Sequence, residues 1–274
     1  MSSITRSTRG NPWMYRGLIW NFARRDLKAR FRGTFLGWLW SLMLPLATLL
    51  IYSAVFSIIF RAVPPPFGNG EPGIYVIWLL VGIVTYSFFG NGVTLAMPSL
   101  LSAGNLLQKI YIPSYVPVMG TAIAASTQSL VEYGILLVVL IVVGNVGLTW
   151  LLFPFLLLMF FIFTLSVSII LSVLNVYARD LQQITGVVIQ LLFFLSPILY
   201  PLDQVPEEWN GIPIRAVMAA NPVAEYIVAF RNLLYDLALP SGKNMLALTA
   251  WTVGAALLAW FVYLRKGQDI GEAV

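Results

Sequence analysis

The chain contains no cysteine and no histidine in 274 residues. Without cysteine there can be no disulfide, thiolate metal site or cysteine nucleophile. Without histidine, imidazole acid–base chemistry and histidine metal ligation are also excluded. Charge is scarce. Charged residues make up 10% of the chain, against about 25% in an ordinary soluble domain. No Gly-x-x-x-x-Gly-Lys-Ser/Thr loop occurs. The nearest approach, Ser241–Gly242–Lys243–Asn244, lacks the hydroxyl residue, so the usual phosphate-cradling loop is missing. There is no Asp-x-Asp pair and no pair of carboxylates in catalytic spacing on a short loop, so neither a metal site nor a catalytic residue is expected. Internal repeats and low-complexity tracts are absent too. The polar, basic N-terminus has no short apolar core with a cleavage site, so no cleavable signal peptide is expected.

What the chain has is apolar mass. Hydrophobic residues form 59% of it, and the mean hydropathy is +0.85. The apolar runs approach the roughly 20 residues that a helix needs to cross about 30 Å of hydrocarbon. They lack strict alternation, which favours helices over a barrel. The expected fold is an all-α integral membrane protein with six transmembrane helices, at 35–60, 74–97, 115–144, 150–175, 184–202 and 244–264.

Basic residues then side the loops. One set of segments holds Arg6, Arg9, Arg16, Arg24, Arg25, Lys28, Arg30, Arg32, Lys109, Arg179, Arg265 and Lys266. The opposite set holds only Arg61, Arg215, Arg231 and Lys243. Loops rich in Lys and Arg stay on the cytoplasmic side, so both termini are expected there. Glu71, Asp203, Glu207, Glu208, Glu225 and Asp236 all fall on the outer side.

Tyr15–Arg32 reads as an amphipathic helix in the interface plane. At 100° per residue, Arg24, Lys28 and Arg32 share one face, with Asn21 and Arg25 beside them. Tyr15, Leu18, Ile19, Phe22 and Ala29 lie opposite. Asp26 and Arg30 intrude on the apolar side in an i,i+4 order that lets them pair. Two roles suit this helix. One is an anchor on anionic lipid, worth about 1 kcal/mol per basic residue. The other is a docking surface for a cytoplasmic partner or an anionic headgroup.

Residues 203–243 are outside and too polar to span. Within them Val223, Tyr226, Ile227, Phe230 and Leu234 share a helical face, and a partly inserted, re-entrant helical pair between spans five and six is expected. Asn145–Thr149 reads as a tight hairpin. Glu132 is the one ionisable residue well inside a span. It is either a carboxyl bonded to a neighbouring helix, with Thr127, Gln128 or Ser129 at hand, or part of a proton path.

Five segments, in order, carry a resemblance. The run Arg30–Phe31–Arg32–Gly33–Thr34–Phe35–Leu36–Gly37–Trp38–Leu39–Trp40–Ser41–Leu42–Met43–Leu44–Pro45–Leu46 resembles the first span of the ABC-2 type permeases that export polysaccharide, among them the O-antigen, teichoic acid and cell-wall galactan exporters. Asn105–Leu106–Leu107–Gln108–Lys109–Ile110–Tyr111–Ile112–Pro113 and Asn175–Val176–Tyr177–Ala178–Arg179–Asp180–Leu181 are similar to its inner loops. Leu195–Ser196–Pro197–Ile198–Leu199–Tyr200–Pro201, with Val205–Pro206, is similar to the end of its fifth span. Asn221–Pro222–Val223–Ala224 and Ala229–Phe230–Arg231 are similar to its outer helical pair.

The resemblance implies a division of labour. Residues 1–34 would be a cytoplasmic segment with the interface helix, 35–264 the transmembrane domain with outer gate helices in 203–243, and 265–274 a cytoplasmic tail. The chain would be a channel-forming permease subunit, not an enzyme, in a bacterial inner membrane. It would pair with a second copy of itself and with two copies of an ATP-binding subunit, which would hold the ATP and Mg. Its cargo would be a lipid-linked polysaccharide, moved in contact with membrane lipid and without nucleic acid.

By the same resemblance, Arg24, Arg25, Lys28, Arg30 and Arg32 would meet the motor and the cytoplasmic leaflet, and Lys109, Arg179 and Asp180 would touch the motor. For Arg179 and Asp180 the alternative is a local ion pair of little energy. Aromatic faces hold sugars weakly, so Trp38, Trp40, Tyr52, Phe56, Tyr86, Phe89, Phe193 and Tyr200 are candidates to line the pore. Ordinary helix packing and interface belts also use such residues. Pro197 and Pro201 would bend span five, and Asn221, Pro222 and Arg231 would belong to the gate. Gly33 and Gly37 permit close helix approach or mark a flexible junction. Competing functions are an ABC-2 exporter of a small lipophilic drug or lipid, a lipid-carrier glycosyltransferase, and a membrane partner without a pore. No inner loop is long enough to host a donor-sugar site.

Overall fold

The computed structural model describes residues 15–33, 35, 37–61, 63–109, 112–267 and 270, and only the backbone of Phe31, Trp38, Ser41, Leu42 and Leu44. Among these residues the fold is helical, with no strand beyond one bridge between Trp209 and Ile212. The helices are α1 (Arg16–Phe31), α2 (Trp40–Ser53), α3 (Tyr75–Ala96), α4 (Ser99–Ser102), α5 (Gly104–Lys109), α6 (Tyr115–Val142), α7 (Phe153–Tyr177), α8 (Leu181–Leu195), α9 (Ile214–Ala219), α10 (Pro222–Leu234) and α11 (Gly242–Val262).

Among the described residues, four helical stretches are long and apolar enough to cross a membrane: Tyr75–Ser102, Tyr115–Val142, Leu148–Tyr177 and Gly242–Gly267. They coincide with the second, third, fourth and sixth expected spans. The first and fifth expected spans fall on α2 and on α8 (Leu181–Leu195). Helix α2 runs without a break from Trp40 into a π turn over Ala54–Ile59, and Pro45 inside it gives up one backbone donor. The fifth expected span stops at Leu195, well before 202. Ser196 is extended (φ −101°, ψ 146°), as the residue before a proline should be.

Helix α3 is the axis of the bundle. It is apolar on every side, and Leu79, Val81, Ile83, Val84 and Thr85 are all buried. A helix with no polar face belongs inside a bundle. It packs against α2, α6, α7 and α10. The core beside it is aromatic. Phe160 lies 4.3 Å from Tyr226 and 5.0 Å from Phe88, and Tyr133 lies 5.3 Å from Phe230 between ring centroids. Hydroxyls in this interior turn back onto their own helix, as in Thr85 Oγ1 to the Val81 carbonyl (2.7 Å) and Ser168 Oγ to the Thr164 carbonyl (2.8 Å).

Helix α10 follows its sequence pattern. Asn221 caps it by accepting from the Val223 N–H at 3.0 Å, and Pro222 stands at the first turn. Val223, Tyr226, Ile227, Phe230 and Leu234 are buried as expected. Its far end is closed by the expected hairpin. Gly144 turns with φ +78°. The Asn145 amide then donates to the Leu234 and Tyr235 carbonyls (2.9 Å each), and Thr149 donates to the Leu233 carbonyl (2.9 Å). These are among the carbonyls that a helix C-terminus leaves unpaired.

Helix α1 lies along α6 and buries Ile19, Phe22 and Ala23. The expected apolar face is displaced by part of a turn: Ala29 is exposed and Ala23 is buried. The contact is close because Gly120 of α6 has no side chain. A Cβ there would overlap Phe22 Cβ and lie 3.0 Å from the Ile19 carbonyl oxygen.

Candidate functional site

The expected basic surface gathers at one end of the bundle. There the Ser114 hydroxyl at the start of α6 donates to the Gly267 carbonyl (2.6 Å), and Tyr177 at the end of α7 donates to the Lys266 carbonyl (3.1 Å). Arg24, Arg25 and Lys28 are exposed on α1, and Arg32 is exposed just past its end. Arg24 and Arg25 sit 5.5 Å and 4.6 Å from the Trp20 and Phe22 rings. Lys109 at the end of α5, and Arg179 with Asp180 in the turn from α7 to α8, are exposed at the same end. Arg179 and Asp180 form no ion pair with each other or with any described residue.

Arg30 departs from this group. Its guanidinium donates to Gln128 Oε1 of α6 at 2.8 Å. Burial lowers its pKa, with Asp26 acting in the opposite sense. Asp26 bonds to Thr121 of α6 (2.5 Å) and to its neighbour Arg25 (2.9 Å). The expected Asp26–Arg30 bridge is therefore replaced. Both residues reach across to α6, because the face of α1 that they share is covered by that helix.

The residues expected at a gate converge away from that end. The Asn221 amide donates to Ser196 Oγ at 2.9 Å, so the cap of α10 is tied to the broken end of α8. Arg231, 5% exposed, donates to the Pro197 carbonyl and to the Ile198 carbonyl (2.7 Å). Its guanidinium lies over the Trp78 ring, 3.4 Å from the centroid. Gly82 of α3 makes the space, since a Cβ there would stand 2.6 Å from the nearer guanidinium nitrogen. Pro197 is buried in this junction, and Pro201 is half-buried where the chain leaves it.

The aromatic candidates separate into groups. Tyr52, Tyr86 and Phe193 meet between α2, α3 and α8, with Phe193 5.7 Å from Tyr52 and 5.3 Å from Tyr86. Tyr86 is buried, and its hydroxyl donates to the Ile189 carbonyl. Phe89 is buried against Phe163 (5.8 Å). Phe56 and Tyr200 line a second region with Tyr75 and Trp78. Trp40 is exposed at the start of α2. The Trp38 side chain lies outside the described residues.

Two concavities among the described residues bear on the site. One, of about 740 Å³, runs between α3, α7, α8, α10 and α11. It is lined almost wholly by apolar groups, among them Phe89, Phe163, Leu192, Trp251 and Leu258. The other, of about 460 Å³, lies where the π turn, the proline loop and the end of α8 meet. The outward faces of α2 and α8 expose Met43, Leu46, Leu50, Ile51, Val187, Leu191 and Phe194.

Glu132 is 3% exposed, and neither carboxyl oxygen has a hydrogen-bond partner among the described residues. Of the three expected partners, Gln128 bears on it without reaching bonding geometry at either oxygen. Thr127 donates to the Ile123 carbonyl instead, and Ser129 Oγ is itself unpartnered. The sequence reading missed Gly82 and Gly120, and gave Asn145 only as the start of a hairpin; all three act through residues distant in the chain.

A helical bundle with several membrane-length apolar helices, a broken helix clamped from within and a cationic surface at one end has the architecture of an integral membrane protein. The chain belongs to the ABC-2 type transporter family, whose model matches residues 17–235. It is 29% identical over 265 residues to an O-antigen export system permease protein RfbA of Myxococcus xanthus, covering 96% of this chain and 97% of that one. A Klebsiella pneumoniae protein of the same name is 30% identical over 214 residues, covering 77% and 78%. The polysialic acid transport protein KpsM of Escherichia coli is 22% identical over 259 residues, covering 89% and 91%.

Proposed function

We propose that the chain is the membrane-spanning permease subunit of an ATP-driven ABC exporter, moving lipid-linked polysaccharide from the cytoplasmic side across a bacterial inner membrane. One observation carries the reading: the likeness to an O-antigen export permease runs end to end, over 96% of this chain and 97% of the relative. The missing phosphate loop agrees with it, because the energy source then belongs on an ATP-binding partner that holds ATP and Mg.

In this reading six elements cross the bilayer. They are the four long helices together with α2 and its π turn, and α8. The α9–α10 pair folds back from the outer side. The end bearing α1, Lys109 and Arg179 is cytoplasmic, as the 12 basic residues assigned there against 4 elsewhere favour. Two permease copies meet through α2 and α8, whose exposed apolar faces support that contact. Two ATP-binding subunits dock beneath, on Lys109, Arg179, Asp180 and the exposed α1 cations. An anionic carrier headgroup would be drawn to the same cations. The aromatic groups around Phe193 and Tyr200 would line the route of the glycan.

The test is co-expression with candidate ATP-binding subunits, purification through this chain, and measurement of ATPase activity and of surface glycan in a depletion strain. Recruitment of an ATPase and restored glycan are expected. Failure to recruit any ATPase removes the transporter reading. Arg179→Glu is expected to weaken subunit association while membrane insertion stays normal. The second reading, an exporter of a small lipophilic drug or lipid, is favoured by the apolar cavity beside Phe89 and Trp251. Surface glycan independent of the chain, with drug accumulating in its absence, would support it.

A further inference from the structure

The smaller cavity differs in chemistry from the larger one. It is enclosed by aromatic and proline walls, yet two of its polar side chains are unused. Phe56 stacks on Tyr75 at 5.9 Å, and Trp78 and Tyr200 complete the walls. The hydroxyls of Tyr75 and Tyr200 are engaged by the Leu199 and Phe194 carbonyls (2.6 and 2.5 Å). Trp78 is covered on one face by Arg231. The rings are therefore held in place before anything binds. Pro64, Pro65 and Pro201 form the rim and restrict the backbone there.

Arg61 and Gln204 also line this cavity. Both are exposed, and their side chains make no hydrogen bond or ion pair with any described residue. Arg61 has φ +50°, the left-handed region that a non-glycine residue rarely enters. It directly follows the π turn of Ala54–Ile59 and Phe60. Backbone of these two kinds concentrates at functional sites.

We propose that this cavity is a saccharide subsite, in which Arg61 and Gln204 bind sugar hydroxyls while the faces of Phe56 and Tyr200 stack on a sugar ring. The chemistry matches part by part. A guanidinium offers a fork of donors to adjacent hydroxyl oxygens, and an amide both donates and accepts. The electron-rich ring faces attract the polarised C–H face of a pyranose. The volume of about 460 Å³ lies within the range of roughly 300–1,000 Å³ typical of small-ligand sites. An acyl chain would leave Arg61 and Gln204 unsatisfied, which is why the larger apolar cavity suits lipid and this one does not. The subsite rests on the exporter reading for its place on the glycan's outward route. There it would hold the emerging chain weakly and oppose its sliding back.

The experiment uses the full chain in nanodiscs, with maltotriose, mannotriose and chitotriose as soluble probes at millimolar concentration, read by saturation-transfer NMR. Wild type is expected to transfer magnetisation to at least one probe. The Arg61→Gln/Gln204→Ala double variant is expected to lower that signal about fivefold, the loss of one net hydrogen bond. Lys243→Ala, outside the cavity, is expected to leave it unchanged. Circular dichroism on each sample checks that the bundle is intact. An equal signal from wild type and the double variant, or none from any probe, overturns the subsite. Surface glycan in the depletion strain separates the two readings. Restored glycan with a signal indifferent to the double substitution keeps the exporter and removes the subsite. No restored glycan with a cavity-dependent signal does the reverse.

Discussion

The Arg231 guanidinium lies 3.4 Å from the centre of the Trp78 ring, buried between α10 and α3. It also holds the Pro197 and Ile198 carbonyls, which have no helical partner because α8 has ended. One cation thus joins the central helix, the broken helix and the short helix α10. Arg231→Met is expected to destabilise the bundle by about 3 kcal/mol, the scale of removing one partner from a buried charged network. Arg231→Lys should recover only part of this, since an ammonium lacks the planar fork. Thermal unfolding in detergent reads the effect, and melting temperatures equal to wild type would show that the contact carries no stability.

Gly82→Ala should produce a similar loss by another route. Its Cβ would press on the Arg231 guanidinium at 2.6 Å and on Ile198 at 3.3 Å. Because both substitutions act on one contact, their effects should fail to add. Strict additivity in the double variant would place the two effects in separate parts of the fold.

Asn145→Ala removes two hydrogen bonds to the end of α10; the Leu234 carbonyl loses this partner, while the Tyr235 carbonyl keeps the Gly68 N–H. The expected cost is about 1–3 kcal/mol, with faster hydrogen exchange over residues 231–235. Unchanged exchange there would mean that the hairpin does not close the helix.

Gly120→Leu should lift α1 from α6, since even a Cβ overlaps Phe22. The expected readout is faster tryptic cleavage after Arg24, Arg25 and Lys28, with the membrane helices still protected. Wild-type cleavage rates would show that α1 keeps its seat by other contacts.

Glu132→Gln is expected to stabilise the protein by about 1 kcal/mol or more. It removes a buried ionisable carboxyl whose oxygens have no hydrogen-bond partner among the described residues and keeps nearly the same volume. A lower melting temperature would instead point to a partner for the carboxylate.

Much of this was legible before the fold. The second, third, fourth and sixth expected spans agree with the long helices to within a few residues, because apolar length alone sets them. Helices α1 and α10 follow from 3.6-residue periodicity. The aromatic candidates were legible as residue types but not as neighbours. Tyr52, Tyr86 and Phe193 form one cluster, whereas Phe56 and Tyr200 belong to a cavity with Arg61 and Gln204. Arg231 read as a gate residue on an outer segment, and nothing near it in the chain marked it as the clamp of three helices.

By itself the sequence determined an all-helical membrane bundle, the position of its cationic surface and the lack of a phosphate-binding loop. Composition and period suffice for these, since apolar length, charge and local spacing are properties of contiguous residues. The tertiary structure alone decided which polar groups meet. Asp26 and Arg30 turn to Thr121 and Gln128 instead of to each other. Arg231 finds Trp78 and two freed carbonyls. Glycines at 82 and 120 matter only for what lies against them. Those contacts join segments far apart in the chain, and a buried polar group takes whatever partner packing brings within reach.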